Sequence, residues 1–134
     1  MAAWSKASTD VRLLIVAAGG ALGSMARYLL SGAVQRYTTP YLPTGTFVVN
    51  LLGCLMVGLV VGFAISRPAV VSVNARLFLV VGVCGGFTTF SAFSYETLEL
   101  VHANEIWQAG LNVAGQLIGG LIAVWAGMTI ARLV

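Results

Sequence analysis

Charge is what this chain lacks most. Only 8% of its 134 residues are Asp, Glu, Lys or Arg, against 59% hydrophobic, whereas soluble domains carry about a quarter charged residues. With a mean hydropathy of +0.96, that shortage excludes a water-soluble fold and makes this an integral membrane protein. The acids are limited to Asp10, Glu96, Glu99 and Glu105, and the only histidine is His102. They form no catalytic set, and no glycine-rich Walker loop is present to couple transport to ATP, so enzyme and pump readings fall away. His102 stands at a predicted membrane edge with no second histidine or cysteine nearby, which favours a solvated surface role over metal ligation. The net charge of +3 comes from basic residues scattered singly; without a basic helix face, no nucleic-acid partner is expected. Cys54 and Cys84 both fall inside apolar runs, where they serve as small hydrophobes rather than as a disulfide or metal ligands. Met1 to Asp10 lacks the apolar core of a secretory signal and the first hydrophobic run lacks a small-residue cleavage site, so the N-terminus is expected to be retained.

What the chain has instead is glycine and long apolar runs. A bilayer core of ~30 Å needs about 20 helical residues, and four segments meet that length: Val11 to Ser31, Thr44 to Ser66, Ala75 to Val101, and Ile106 to Leu133. The turns between them, Gln35–Pro43, Arg67–Arg76 and His102–Glu105, are too short for an extramembrane domain; Pro40 and Pro43 prevent the first from continuing either helix. A single four-helix transmembrane domain over residues 1–134 is expected. Many of the 16 glycines recur at small-xxx-small spacing, such as Gly19 and Gly23, which lets membrane helices approach closely.

Polar residues inside these spans are few enough to weigh singly. Arg27 lies about fifteen residues beyond Arg12; it either snorkels to the headgroups or faces a water-filled anion vestibule. Asn50 is the one strongly polar interior residue of the second span, either a functional group or an amide bonding helix to helix. Asn112 and Gln116, four apart, share a face of the last helix. The third span departs furthest from a lipid-soluble helix. From Val81 to Glu96 it reads Val-Gly-Val-Cys-Gly-Gly-Phe-Thr-Thr-Phe-Ser-Ala-Phe-Ser-Tyr-Glu. We expect the helix to break at Gly85-Gly86, because paired glycines weaken it, and non-helical backbone in a membrane is tolerated only where it is buried or lines a cavity. A cut helix presents carbonyl oxygens from one half and N–H groups from the other, the arrangement with which broken-helix transporters hold ions. Phe90 and Phe93, three apart, are neighbours on one face. Their ring edges carry partial positive charge and could line an anion path beside uncharged donors; equally, Phe87, Phe90 and Phe93 could be ordinary packing residues.

Three motifs, in order, add a resemblance. Gly-Gly-Ala-Leu-Gly-Ser-Met-Ala-Arg-Tyr (19–28), Gly-Thr-Phe-Val-Val-Asn-Leu-Leu-Gly (45–53) and Gly-Gly-Phe-Thr-Thr-Phe-Ser-Ala-Phe-Ser-Tyr-Glu (85–96) resemble the bacterial fluoride channel family called Fluc or CrcB. The resemblance implies an all-α protein of the inner membrane in which two four-helix subunits assemble antiparallel, enclose two fluoride pores and let fluoride leave passively. It implies that Asn50 lines the pore, that the edges of Phe90 and Phe93 face the fluoride path, and that Thr89 and Ser91 are polar-track donors. Arg27 would sit in a vestibule, and the carbonyls of Gly85 and Thr88 from both subunits would hold a structural sodium ion. Asn112 and Gln116 match the family pattern less closely and carry over as further pore residues.

A compact proton-coupled exporter of the small multidrug type is the competing reading, but such proteins resemble a scheme with a glutamate in the first helix, and Val11 to Ser31 contains no acid. A non-transporting assembly subunit would leave Asn50 and the break without purpose. Lys6, Arg12, Arg67, Arg76 and Arg132 fall on the N-terminal side and Arg36, with Arg27, on the other, which by the positive-inside rule favours a cytoplasmic N-terminus. Discounting Arg132 at the chain end and counting Arg27 shrinks that imbalance, and a dual-topology homodimer is the expectation.

Overall fold

The computed structural model of the chain describes residues 6–38 and 42–133. Its elements are α1 (Lys6–Arg36), α2 (Thr44–Ser66), a short α3 (Val73–Arg76) that runs into a π-helical segment (Leu77–Cys84), α4 (Gly85–Phe87), α5 (Phe90–His102) and α6 (Ile106–Leu133). Four stretches of the described residues are long and apolar enough to cross a membrane: Thr9–Arg36, Thr44–Ser66, Val73–His102 and Ile106–Leu133. The second and fourth coincide with the expected spans. The first extends beyond Val11 and Ser31 at both ends: the single Gly32 does not end it and no proline precedes Pro40, so it takes in Gln35 and Arg36 of the expected loop. Of that loop's remaining residues, Thr39, Pro40 and Tyr41 lie outside the described residues. Pro43 stands at the N-cap of α2, where a ring without an N–H is tolerated.

Close backbone approach holds the spans together. A Cβ built on Gly58 would lie 2.3 Å from the Val124 carbonyl oxygen, and one on Gly127 2.5 Å from that of Leu55, so α2 and α6 meet with nothing between their backbones. On the other side, α1 lies against the third span: a Cβ on Gly23 would sit 2.1 Å from the Val83 carbonyl oxygen. Lipid tails are as apolar as leucine, so this packing of small residues, rather than water exclusion, is what associates the helices.

The third span is broken, but three residues later than the glycine pair suggests. Gly85 is helical (φ −64°, ψ −38°); the chain becomes extended at Thr88 (φ −82°, ψ 158°) and Thr89 (φ −150°, ψ 116°). Two effects move the break. Gly86 is needed inside a helix that crosses α1, where a Cβ would fall 2.4 Å from the Gly20 carbonyl oxygen. The β-branched threonines favour extended backbone, and the Thr89 hydroxyl caps the next helix by accepting from Ala92 N at 3.1 Å, as N-cap threonines do.

α5 ends in a Schellman turn. Asn104 takes the left-handed conformation (φ 62°), Glu105 N–H donates to the Leu100 carbonyl at 2.8 Å and Asn104 N–H to that of Val101 at 3.0 Å. Asparagine is one of the few residues besides glycine that accept this backbone, and the reversal carries the chain into α6.

Candidate functional site

Breaking a helix inside a membrane frees backbone groups that have no water to turn to. Here Asn50 of α2 receives them. Thr89 N–H donates to Asn50 Oδ1 at 2.8 Å, and Asn50 Nδ2 donates back to the Thr89 carbonyl at 3.0 Å. The side-chain amide thus pairs with both backbone groups of one residue, as a neighbouring peptide would. Gly53, one turn along α2, leaves room for this: a Cβ there would meet Thr88 Cγ2 at 2.2 Å. Asn50 Nδ2 also donates to Gln116 Oε1 of α6 at 2.8 Å, joining α2, the break and α6.

The same bonds redirect donors from the first half of the span. In a continuous helix Thr89 N–H would close on the Gly85 carbonyl and Ala92 N–H on that of Thr88. The first goes instead to Asn50 and the second to Thr89 Oγ1. Gly85 and Thr88 therefore carry carbonyl oxygens deprived of their helical donors. Gly85 is exposed, and a Cβ on it would have only the Val80 oxygen nearby, at 3.8 Å.

On the far side of the break lies a cavity of about 300 Å³ lined by Asn50, Thr88, Thr89, Phe90, Phe93 and Gln116, with Cys54 and Gly53 of α2. The Phe90 and Phe93 ring centroids are 5.5 Å apart and the planes are inclined by 57°, a tilted pairing within the range of favourable aromatic contacts. Phe93 is 8% exposed and Phe90 76%. Gln116 Nε2 is buried and has no hydrogen-bond partner among the described residues.

Thr89 also lines a second cavity of about 430 Å³, with Ser24, Arg27, Tyr28, Thr46 and Glu96. Arg27 thus faces a polar hollow. Thr46 and Glu96 belong as well to a third hollow of about 560 Å³ that includes Gln35, Glu99 and Glu105. Thr46 Oγ1 donates to Glu96 Oε1 at 2.6 Å, while Glu96 Oε2 is buried with no partner among the described residues.

The structure therefore brings Asn50, Thr88, Thr89, Phe90, Phe93 and Gln116 to one cavity and Arg27 to its neighbour. Ser91 is exposed beside them, its hydroxyl 3.2 Å from Thr89 Oγ1. Asn112 stands apart: it is buried and donates to Thr97 Oγ1 at 2.9 Å, which itself donates to the Phe93 carbonyl, so it ties α6 to α5. Thr46 and Glu96 are residues that reading the sequence missed. The signal was present in Glu96, because a carboxylate within an apolar span is itself a mark of function even where it belongs to no catalytic set.

A family model described as CrcB-like protein, Camphor Resistance (CrcB), matches residues 14–128. The chain is 45% identical over 123 residues to a protein of Nitratidesulfovibrio vulgaris named Fluoride-specific ion channel FluC, covering 92% of this chain and 98% of that one. Proteins of the same name from Flavobacterium psychrophilum and Methylobacillus flagellatus are 41% and 40% identical, over 90% and 91% of this chain and 96% and 95% of theirs. These matches span all four membrane helices, the Asn50 bracket and the break, and the chain, a multi-pass bacterial membrane protein, belongs to the CrcB family.

Proposed function

We propose that this protein is a passive, fluoride-selective channel of the bacterial inner membrane that lets toxic fluoride run out of the cell. The observation that carries the reading is the pairing of a buried, unpartnered amide donor, Gln116 Nε2, with the Phe90–Phe93 edge pair in one cavity of a chain whose relatives are named fluoride-specific channels. Donors and ring edges attract a small anion, and no cation in that cavity would trap it; conduction needs binding that is favourable yet escapable. Arg27, in the adjoining hollow, raises anion concentration near the entrance, and Thr89 and Ser91 offer hydroxyls along the way.

The working unit is an antiparallel homodimer. The outward face of the break carries Gly85, Phe90, Ser91, Ser94 and Tyr95, all exposed. The carbonyls freed at the break would be costly against hydrocarbon, and a second copy covers them. The Gly85 and Thr88 carbonyls suit a hard monovalent cation, and sodium shared between two copies would neutralise four inward-facing oxygen dipoles and fasten the subunits.

Proton-coupled export of the small multidrug kind requires a titrating acid on the first helix; α1 carries only Asp10, exposed near its start. Fluoride release from vesicles holding purified protein, with pH clamped equal on both sides, separates the two schemes. A channel empties the vesicles down the fluoride gradient alone, whereas release that stops without a proton gradient would overturn the channel reading.

A further inference from the structure

The hydrogen bonds at the break run in one direction, and that direction decides which end of Gln116 meets the cavity. Thr89 N–H can only donate, so the Asn50 group facing it must be Oδ1 (2.8 Å). The Thr89 carbonyl can only accept, so it takes Nδ2 (3.0 Å). These two bonds lock the orientation of the Asn50 amide, which in isolation could flip. The remaining N–H of Nδ2 can only donate, and Gln116 meets it with Oε1 (2.8 Å). With its oxygen engaged, Gln116 must turn Nε2 away, and that nitrogen is buried without a partner among the described residues in a residue that lines the Phe90–Phe93 cavity. A buried N–H₂ without an acceptor is costly and calls for an anion or a water.

From this we infer that Asn50 is a positioning residue, with its oxygen and both N–H groups consumed by the protein, and that the amide donor touching the anion here is Gln116 Nε2, its polarity set through Asn50 by the backbone of the break. This rests on the channel reading and refines it by reassigning the contact expected of Asn50. A reversed Asn50 would set N–H against N–H at Thr89, so the helix break itself acts as the selector that gives the cavity a donor rather than a carbonyl.

The test has two arms, both on the full-length protein. In the first, Gln116→Met keeps the length of the side chain and removes its donor; fluoride flux from vesicles is expected to fall at least tenfold, with helix content and oligomeric size unchanged. In the second, which needs no variant, side-chain amides are ¹⁵N-labelled and fluoride is titrated into wild-type protein: the Gln116 N–H₂ signals are expected to move markedly and those of Asn50 little. A structural role for Gln116 would not produce that contrast. Wild-type protein that conducts while Gln116→Met conducts equally well, or while fluoride moves the Asn50 signals and not those of Gln116, overturns the assignment alone. Wild-type protein that carries no fluoride overturns the channel reading and the assignment with it.

Discussion

Phe90 and Phe93 are near neighbours on one helix, yet one is buried and the other lies open on the face proposed to meet a second copy. An ordinary packing role would make Phe93 the more important; a path lined by ring edges requires both. Replacing either by isoleucine keeps apolar bulk but removes the electropositive edge, a change that costs the fold ~1 kcal/mol. Each of Phe90→Ile and Phe93→Ile is therefore expected to cut fluoride flux by more than tenfold while thermal stability in detergent shifts by only a few degrees. Folded variants that both conduct like wild type would assign these rings to packing. Asn50 illustrates how far single residues can be read. Its isolation in an apolar span flags it as either a functional group or an amide bonding helix to helix; that its partner is the backbone of Thr89 requires three-dimensional knowledge, because the two are 39 positions apart. Glu96 is flagged by its own charge, but its pairing is not, because the partner, Thr46, is an ordinary threonine 50 positions away.

At the scale of helices, glycine positions divide into those that permit backbone contact and those that do not. A methyl group on Gly23 would collide with the backbone of the third span, 2.1 Å from the Val83 oxygen, whereas one on Gly32 of the same helix would have nothing within 4 Å. Gly23→Ala is expected to destabilise the protein by ~1–3 kcal/mol through overpacking. Gly32→Ala is expected to be neutral or to stabilise by ~0.5–1 kcal/mol, since alanine loses less entropy in a helix. Thermal unfolding of the two variants in one detergent checks this, and equal midpoints would contradict the packing described. The spans and their small-residue contacts were legible because length, hydropathy and glycine spacing are local properties. The break falls beyond the glycine pair for a physical reason: Gly85-Gly86 looks like a breaker in isolation, but Gly86 answers a demand from α1, and the extended backbone is taken by Thr88 and Thr89, the second of which caps α5 with its hydroxyl.

At the scale of the whole molecule, the proposed channel is two copies in opposite orientations around a shared sodium ion. If carbonyls of Gly85 and Thr88 hold that ion, Thr88→Ser leaves the site intact, while long exchange of sodium for a large organic cation weakens the dimer and slows flux; unchanged dimer stability and activity after full exchange would argue against the ion. Orientation is read with Lys6→Cys as the sole cysteine, in a background where Cys54 and Cys84 are replaced, labelled on intact cells with an impermeant thiol reagent. About half labelling is the expected result of dual insertion, and labelling near zero that becomes complete after lysis would demand an oppositely inserted partner chain. The claim on which all of this depends is selectivity for fluoride. Fluoride is smaller than chloride and holds its water more tightly, so close-set donors and ring edges in a narrow path replace its hydration where the larger ion does not fit. The direct measurement is efflux of both ions from the same preparation of vesicles containing the purified protein, followed with ion-selective electrodes: rapid release of fluoride with chloride retained is the predicted outcome, and comparable release of the two ions, or of neither, would contradict it.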